Sequence, residues 1–257
     1  YVNFRVKHNQ SVLLLLSIIS VSRYPVFMGR ESDVLEQLRL AVFDCDGTLV
    51  DSQHSIIACM RAAFDSQELT SPEDSSIRRI VGLPLKEAIA LLSPGTSEPV
   101  LERLRDGYIG AWQNIRRTTG LNEPPYDGCV EVLDALSDNG WTLGVATGKS
   151  HRGLVDTLEQ HNLLERFTTL QPADRAPGKP NPAMLFKAME ETGASPEGTV
   201  MIGDTTYDME MAVNAGVLGI GVAWGYHEIQ ELERSGARTV VRTYAELPDL
   251  LKKLMEK

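Results

Sequence analysis

From Leu38 to the C-terminus, short continuous apolar runs alternate with stretches whose apolar positions recur every three or four residues. The first run, Leu40-Ala41-Val42-Phe43, stops abruptly at Asp44-Cys45-Asp46-Gly47. Others cover residues 141–146, 199–202 and 217–222, with a weaker one at 238–241. Unbroken apolar runs suit strands buried on both faces, as in a parallel sheet. Between them, Cys129, Val132, Leu133 and Leu136 share a helical face, as do Leu154, Val155 and Leu158, and then Met211, Ala212 and Ala215. This alternation predicts an α/β fold, a doubly wound, Rossmann-like parallel sheet built from right-handed βαβ units.

The rhythm breaks once. Between Asp51 and about Pro125 the pattern is helical, with no strand-like run. One face is marked by Ile56, Ile57, Met60, Ala63 and Phe64, a second by Leu85, Ala88, Ile89 and Leu92, and a third by Leu101, Leu104, Tyr108 and Trp112. Pro72, Pro84, Pro94-Gly95 and Pro124-Pro125 punctuate them. The expected organisation is a core of residues 36–52 and 124–257 interrupted by a helical insert over 53–123.

Residues 1–35 stand outside this scheme. Arg5 and Lys7 precede an apolar stretch, residues 12–21, broken by Ser17 and Ser20, which is too short to span a bilayer comfortably. The segment has features of a secretory signal, but Met28 lies shortly before the first strand. An upstream extension that plays no part in the working fold is the reading adopted.

Composition narrows the function classes. With 42% hydrophobic and 23% charged residues, the chain can bury a large core without staples. A formal net charge of −10 and the lack of a dense Lys/Arg block argue against nucleic-acid or membrane partners. Cys45, Cys59 and Cys129 show no C-x-x-C or Cys/His spacing, and reduced thiols in a cytoplasmic protein are expected. Acidic neighbours should raise the Cys45 thiol pKa, so it is not read as a nucleophile.

The candidate chemistry sits where apolar runs end. Asp44 and Asp46 are two residues apart in extended chain, so both can face one substrate with Cys45 turned away. Thr147-Gly148 closes the second run and enters a helical pattern, offering a hydroxyl and free amides to a phosphate oxygen. Lys179, in Gly178-Lys179-Pro180, can supply positive charge. Gly203-Asp204-Thr205-Thr206-Tyr207-Asp208 adds two carboxylates, which with Asp44 suit a hard cation such as magnesium. Singly, each cluster reads equally well as a turn, a helix cap or a solvated loop. Together they mark the carboxyl-end edge of a parallel sheet, where ligands bind in doubly wound folds.

Asp44-Cys45-Asp46-Gly47-Thr48-Leu49, Thr147, Lys179 and Gly203-Asp204 with Asp208 resemble, in order, the four motifs of the haloacid dehalogenase superfamily. The helical insert resembles that family's cap of the first type. The resemblance implies a Mg2+-dependent phosphatase in which Asp44 attacks phosphorus and Asp46 is the acid and base. Thr147, Gly148 and Lys179 would bind the phosphoryl oxygens. Asp44, the main-chain carbonyl of Asp46 and Asp204 would hold the metal, with Asp208 as an outer partner of Lys179 or a metal-bound water. An aspartate at 46 favours an oxygen leaving group over carbon–halogen or phosphonate cleavage. The substrate implied is a small phosphorylated metabolite, 2-phosphoglycolate being suggested by Gly203–Asp208, the helical cap and Trp224-Gly225-Tyr226, although core or loop packing is the preferred reading of Trp224 and Tyr226. Two further sequence features bear on that choice. Lys86 is a candidate for a substrate carboxylate, although a solvated helix-start lysine is the preferred reading there. Arg175, just ahead of Lys179, departs from the small or acidic residue expected. A phosphomutase, a pyrophosphatase and a non-catalytic binding protein are the competing readings.

Overall fold

The computed structural model describes residues 38–255, apart from 119 and 121. Among these residues six strands form the sheet: β1 (Arg39–Phe43), β2 (Trp141–Thr147), β3 (Thr169–Pro172), β4 (Thr199–Gly203), β5 (Leu218–Val222) and β6 (Ala237–Val241). All pair in parallel, in the order β3-β2-β1-β4-β5-β6. The chain builds outward from β1 through β2 to β3, then returns to β4 on the other side of β1. The topological switch point therefore lies between β1 and β4, the crevice where such sheets take ligands.

Among the described residues, ten α-helices accompany the strands. Four lie between β1 and β2: α1 (Gln53–Asp65), α2 (Asp74–Arg79), α3 (Leu85–Leu92) and α4 (Glu98–Thr118). A fifth, α5 (Cys129–Asp138), leads into β2. The others are α6 (His151–Gln160), α7 (Ala183–Thr192), α8 (Thr206–Ala215), α9 (Ile229–Arg234) and α10 (Leu247–Met255).

The unbroken apolar runs follow from burial on both faces. Along β1, Ala41 and Phe43 join Leu133 and Leu136 of α5, Leu154 of α6 and Leu251 of α10 in one cluster. Leu40 and Val42 point the other way, into Met184 and Leu185 of α7 and Met211 and Ala212 of α8. A period of two thus feeds two different cores from one strand. Strand β3 had no counterpart among the sequence expectations. Its four residues, Thr-Leu-Gln-Pro, carry no apolar run because Thr169 and Gln171 are buried by hydrogen bonding to Glu191 of α7 instead.

Helices α1 to α4 pack on one another through a third, separate cluster that includes Ile57, Met60, Ile77, Ile89 and Leu104. The chain leaves and re-enters the sheet region side by side. Asp51 N–H donates to the Pro124 carbonyl (2.8 Å), and Tyr126 N–H to the Leu49 carbonyl (3.1 Å). From there α2 reaches across to the far side, where the Arg79 guanidinium forms two hydrogen bonds with Glu231 of α9 (2.7 and 2.8 Å). No helix among the described residues is long and apolar enough to cross a membrane. The apolar stretch at 12–21 lies outside the described residues.

Candidate active site

Asp44 follows the last residue of β1, and its N–H continues the ladder by donating to the Ile202 carbonyl of β4 (2.9 Å). Its side chain is completely buried. Oδ1 accepts from the Cys45 N–H (2.6 Å) and lies 2.8 Å from Lys179 Nζ. Oδ2 is buried without a hydrogen-bond partner. Cys45 points away into the apolar cluster beneath, where burial and then Asp46 push its thiol pKa well up. The chain next turns at Gly47, whose φ of +81° is left-handed. A Cβ there would lie 2.3 Å from Asp204 Oδ2, so glycine is required for space as well as for conformation.

Asp204 sits at the end of β4, next to Asp44 across the switch point, and both of its oxygens are tethered. Thr48 Oγ1 donates to Oδ1 (2.8 Å), and the Tyr226 N–H donates to Oδ2 (2.9 Å). Trp224 and Tyr244 hold this wall from behind: Trp224 Nε1–H (3.1 Å) and the Tyr244 hydroxyl (2.6 Å) both donate to the Thr48 carbonyl, and their rings meet tilted at 41° with centroids 4.5 Å apart.

Asp208 is placed by helix chemistry. Thr205 caps α8, and Asp208 Oδ2 reaches back to accept from the Thr205 N–H (3.0 Å) and hydroxyl (2.7 Å), a reciprocal capping box. That leaves Asp208 Oδ1 facing Lys179 Nζ at 2.6 Å. Lys179 is itself buried and bridges Asp208 and Asp44. Burial opposes its charge, but the two carboxylates outweigh burial and raise its pKa.

One carboxylate oxygen each from Asp44, Asp204 and Asp208 lie within 4.8 Å of one another. Three buried carboxylates share one ammonium, an arrangement that low dielectric penalises heavily. Burial and mutual repulsion raise the carboxylate pKa values. Burial raises the Asp44 pKa to about 7 against the pull of Lys179, and burial with Asp44 and Asp208 raises that of Asp204 well above the ordinary range. Hard oxygen donors whose negative charge exceeds that of the one ammonium fit a divalent cation such as Mg2+.

Asp46 lies apart from this acidic cluster. Its Oδ1 accepts from the Ser52 hydroxyl and pairs with Lys149 Nζ at 2.8 Å. Lys149 also lies 3.6 Å from Glu123 Oε2, which accepts from Thr157 Oγ1 (3.2 Å). Burial opposes the Lys149 charge, yet Asp46 and Glu123 together raise its pKa well above normal. Thr147, buried at the end of β2, accepts from the Lys149 N–H at 3.2 Å. Beside it, Gly148 meets the Gly82 and Leu83 carbonyls, where a Cβ would come within 2.7 and 2.6 Å.

The expected residues are therefore distributed over one strand-end edge, with Asp44, Lys179, Asp204 and Asp208 in direct contact or in one acidic cluster and Asp46 on the Lys149 side. Lys149, Glu123, Thr48 and Ser52 were not foreseen. Lys149 lies two residues beyond Thr147, but Glu123 joins it only because the long insert closes on itself, which no local spacing reveals. Lys86 stays half-exposed and paired with Glu98 and Glu102 of α4. Arg175 is exposed, and its carbonyl accepts from Lys187.

The sequence profile of the haloacid dehalogenase-like hydrolases matches residues 41–222, and the chain belongs to that family. Among curated relatives, "Probable phosphatase IndB" of Dickeya dadantii is 35% identical over 212 residues, covering 81% of this chain and 91% of that protein. Phosphoglycolate phosphatase of Agrobacterium fabrum is 31% identical over 224 residues, covering 85% and 94%. The crystal structure of a hydrolase from Pseudomonas syringae superposes with a TM-score of 0.74 at 26% identity, over 84% of this chain and 99% of that one.

Proposed function

We propose that this hydrolase is a phosphatase that cleaves small phosphate monoesters by passing the phosphoryl group through Asp44. The observation that carries the reading is the asymmetry of the Asp44 carboxylate. Oδ1 is held by Lys179 and the Cys45 N–H, while Oδ2 is buried and unengaged. A desolvated, oriented oxygen of this kind is a competent nucleophile. Oδ2 attacks phosphorus, the bond to the ester oxygen breaks, and a proton from Asp46 goes to that oxygen as the alcohol leaves. A water then attacks the phosphorus of the aspartyl-phosphate, giving its proton to Asp46 and releasing phosphate and free Asp44.

Thr147, Gly148 and Lys179 would receive the non-bridging phosphoryl oxygens. Lys149, braced by Glu123 and Thr157, positions Asp46 and keeps its carboxyl directed at the substrate cavity. Mg2+, held by Asp44, Asp204 and the main-chain carbonyl of Asp46 with Asp208 alongside, would shield the nucleophile and the phosphate from one another. Residues 53–123 act in this reading as a cap that excludes water from the site. Its support is the seating of Gly82 and Leu83 against Gly148. Three buried, unpaired thiols support a cytoplasmic setting.

The test is phosphate release from a panel of esters that includes 2-phosphoglycolate, the substrate in the name of the Agrobacterium relative. Release is expected to require Mg2+ and to vanish in Asp44→Asn, which remains folded by circular dichroism. Turnover that survives Asp44→Asn would overturn the reading.

A further inference from the structure

A cavity of about 360 Å3 opens beside Asp46 and Lys149, where the leaving group of an ester attacked at Asp44 would lie. That volume is roughly a dozen times the ~30 Å3 share of one water molecule and falls within the range of small-molecule sites. A carboxymethyl group would leave most of it empty.

The walls are mainly apolar. One stripe of α4, with Tyr108, Ile109 and Trp112 at helical spacing, forms one side; Ile56 and Met60 of α1 and Leu83 continue it. Ile109 and Trp112 lie outside the cluster that packs α4 on α1, where Gly107 lies against Ala63, while Tyr108 packs against that cluster and also lines the cavity. Trp112 is fixed in orientation by the Arg116 guanidinium 5.5 Å from its ring centroid, and Arg116 pairs with Asp156 of α6. Ile109 is 41% exposed, an apolar side chain outside the core clusters.

The cations along the cavity are already engaged. Lys149 is shared by Asp46 and Glu123. Arg105 pairs with Glu102 and Asp106. At the rim, Arg152 is 75% exposed and 3.8 Å from Asp156. A second carboxylate on the substrate would thus find no unpaired cation among these residues, and it would have to displace water from an apolar wall.

We propose that the preferred leaving group is a neutral alcohol carrying a flat apolar ring, which lies against Trp112, Tyr108 and Ile109. The inference rests on the phosphatase reading above and narrows it to monoesters of aryl-bearing or heteroaryl-bearing alcohols. Such a ring buries apolar area on both faces and stacks at low entropic cost. The same wall offers little to a small carboxylated alcohol.

The experiment compares kcat/KM of the full chain with Mg2+ for benzyl phosphate, ethyl phosphate and 2-phosphoglycolate. Benzyl and ethyl alkoxides are similar leaving groups, so their ratio reports the cavity rather than the chemistry. Benzyl phosphate should exceed both others by about tenfold or more, the scale on which apolar pockets discriminate. Ile109→Glu, at a position exposed enough to tolerate charge, should lower the benzyl-to-ethyl ratio about tenfold, mainly through KM. Preference for 2-phosphoglycolate, or a ratio unmoved by Ile109→Glu, overturns the inference while leaving an Asp44-dependent phosphatase in place. Release from none of the three esters overturns the phosphatase reading and this inference with it.

Discussion

The edge of the sheet around Asp44 and the wall beneath α4 are built on opposite terms. At the sheet edge, each oxygen of Asp204 is held by a separate donor, and Asp208 is locked by its own helix cap. The side chains there are buried, and their positions descend from parallel strand register. Along α4, by contrast, Tyr108, Ile109 and Trp112 project from a helix whose one side-chain ion pair to the β2–α6 side, among the described residues, is Arg116 with Asp156. On the function proposed above, the reaction would be fixed by backbone geometry that tolerates little change, and substrate choice by side chains on an insert that can vary without disturbing the sheet.

The sharpest way to separate the two regions is Asp46→Asn, because Asp46 belongs to the sheet edge yet faces the cavity. Loss of the acid should slow poor leaving groups by about 10²–10⁴-fold, the usual reach of acid–base catalysis. Activated aryl phosphates should suffer far less. Equal losses on both ester types would remove Asp46 from the acid role.

Lys179→Met tests how much the edge depends on its single ammonium. Phosphate release should fall by about 10²–10³-fold, as when one preorganised cationic or donor group is removed from a site of developing charge. Stability should fall as well, by about 3–5 kcal/mol, because Asp44 and Asp208 are left buried without their partner. Urea unfolding without added metal measures it, and Mg2+ should recover part of the loss. A change under about 1 kcal/mol would show that the carboxylates do not need the lysine.

Gly225→Ala reaches the same edge from behind. A Cβ at 225 would lie 2.1 Å from the Asp204 Cβ, so the aspartate must shift. Mg2+ affinity, read as the cation concentration that raises Tm halfway, should weaken by about 10–100-fold, the range found when ligand-orienting neighbours are disturbed. An unchanged titration would mean that the Asp204 tether from Tyr226 N–H is not needed for the cation.

Much of the edge was legible because strand ends print directly in sequence. An apolar run that stops at Asp44-Cys45-Asp46-Gly47, and another that stops at Gly203-Asp204, fix both carboxylates before any fold is known. Strand β3 was not legible, since Thr169 and Gln171 enter the interior through hydrogen bonds to Glu191 rather than through apolar character. Nor was the Lys149–Glu123 pair, whose members lie on opposite flanks of α5 and β2 in the chain and meet only in the fold. The helical faces of residues 53–123 could be read, but not which stripe of α4 would be left for the cavity. Tyr108 and Trp112 looked like one core face, and only packing shows that Leu101 and Leu104 take the core while Trp112 turns to the opening.

The smallest effect expected lies where the two regions touch, at His227. The ring is buried; its Nδ1 accepts from the Thr206 N–H at 3.1 Å, so Nε2–H donates to the Arg79 carbonyl of α2 at 3.2 Å. Burial lowers its pKa, opposed first by the hydrogen bond to the Arg79 carbonyl, reinforced by the Arg79 guanidinium, and opposed again more weakly by Glu231 and Asp208. Protonation would set an N–H on Nδ1 against the Thr206 N–H. A group whose folded pKa lies below its unfolded value stabilises fully above the unfolded value, about 6.5 for histidine. That stability is lost as pH falls through the folded pKa. Between about pH 7.5 and pH 5, the wild type should therefore lose a few degrees of Tm more than His227→Gln, whose amide can keep both hydrogen bonds without titrating. Parallel pH profiles for the two proteins would show that the neutral ring is not what holds α2 against the sheet edge.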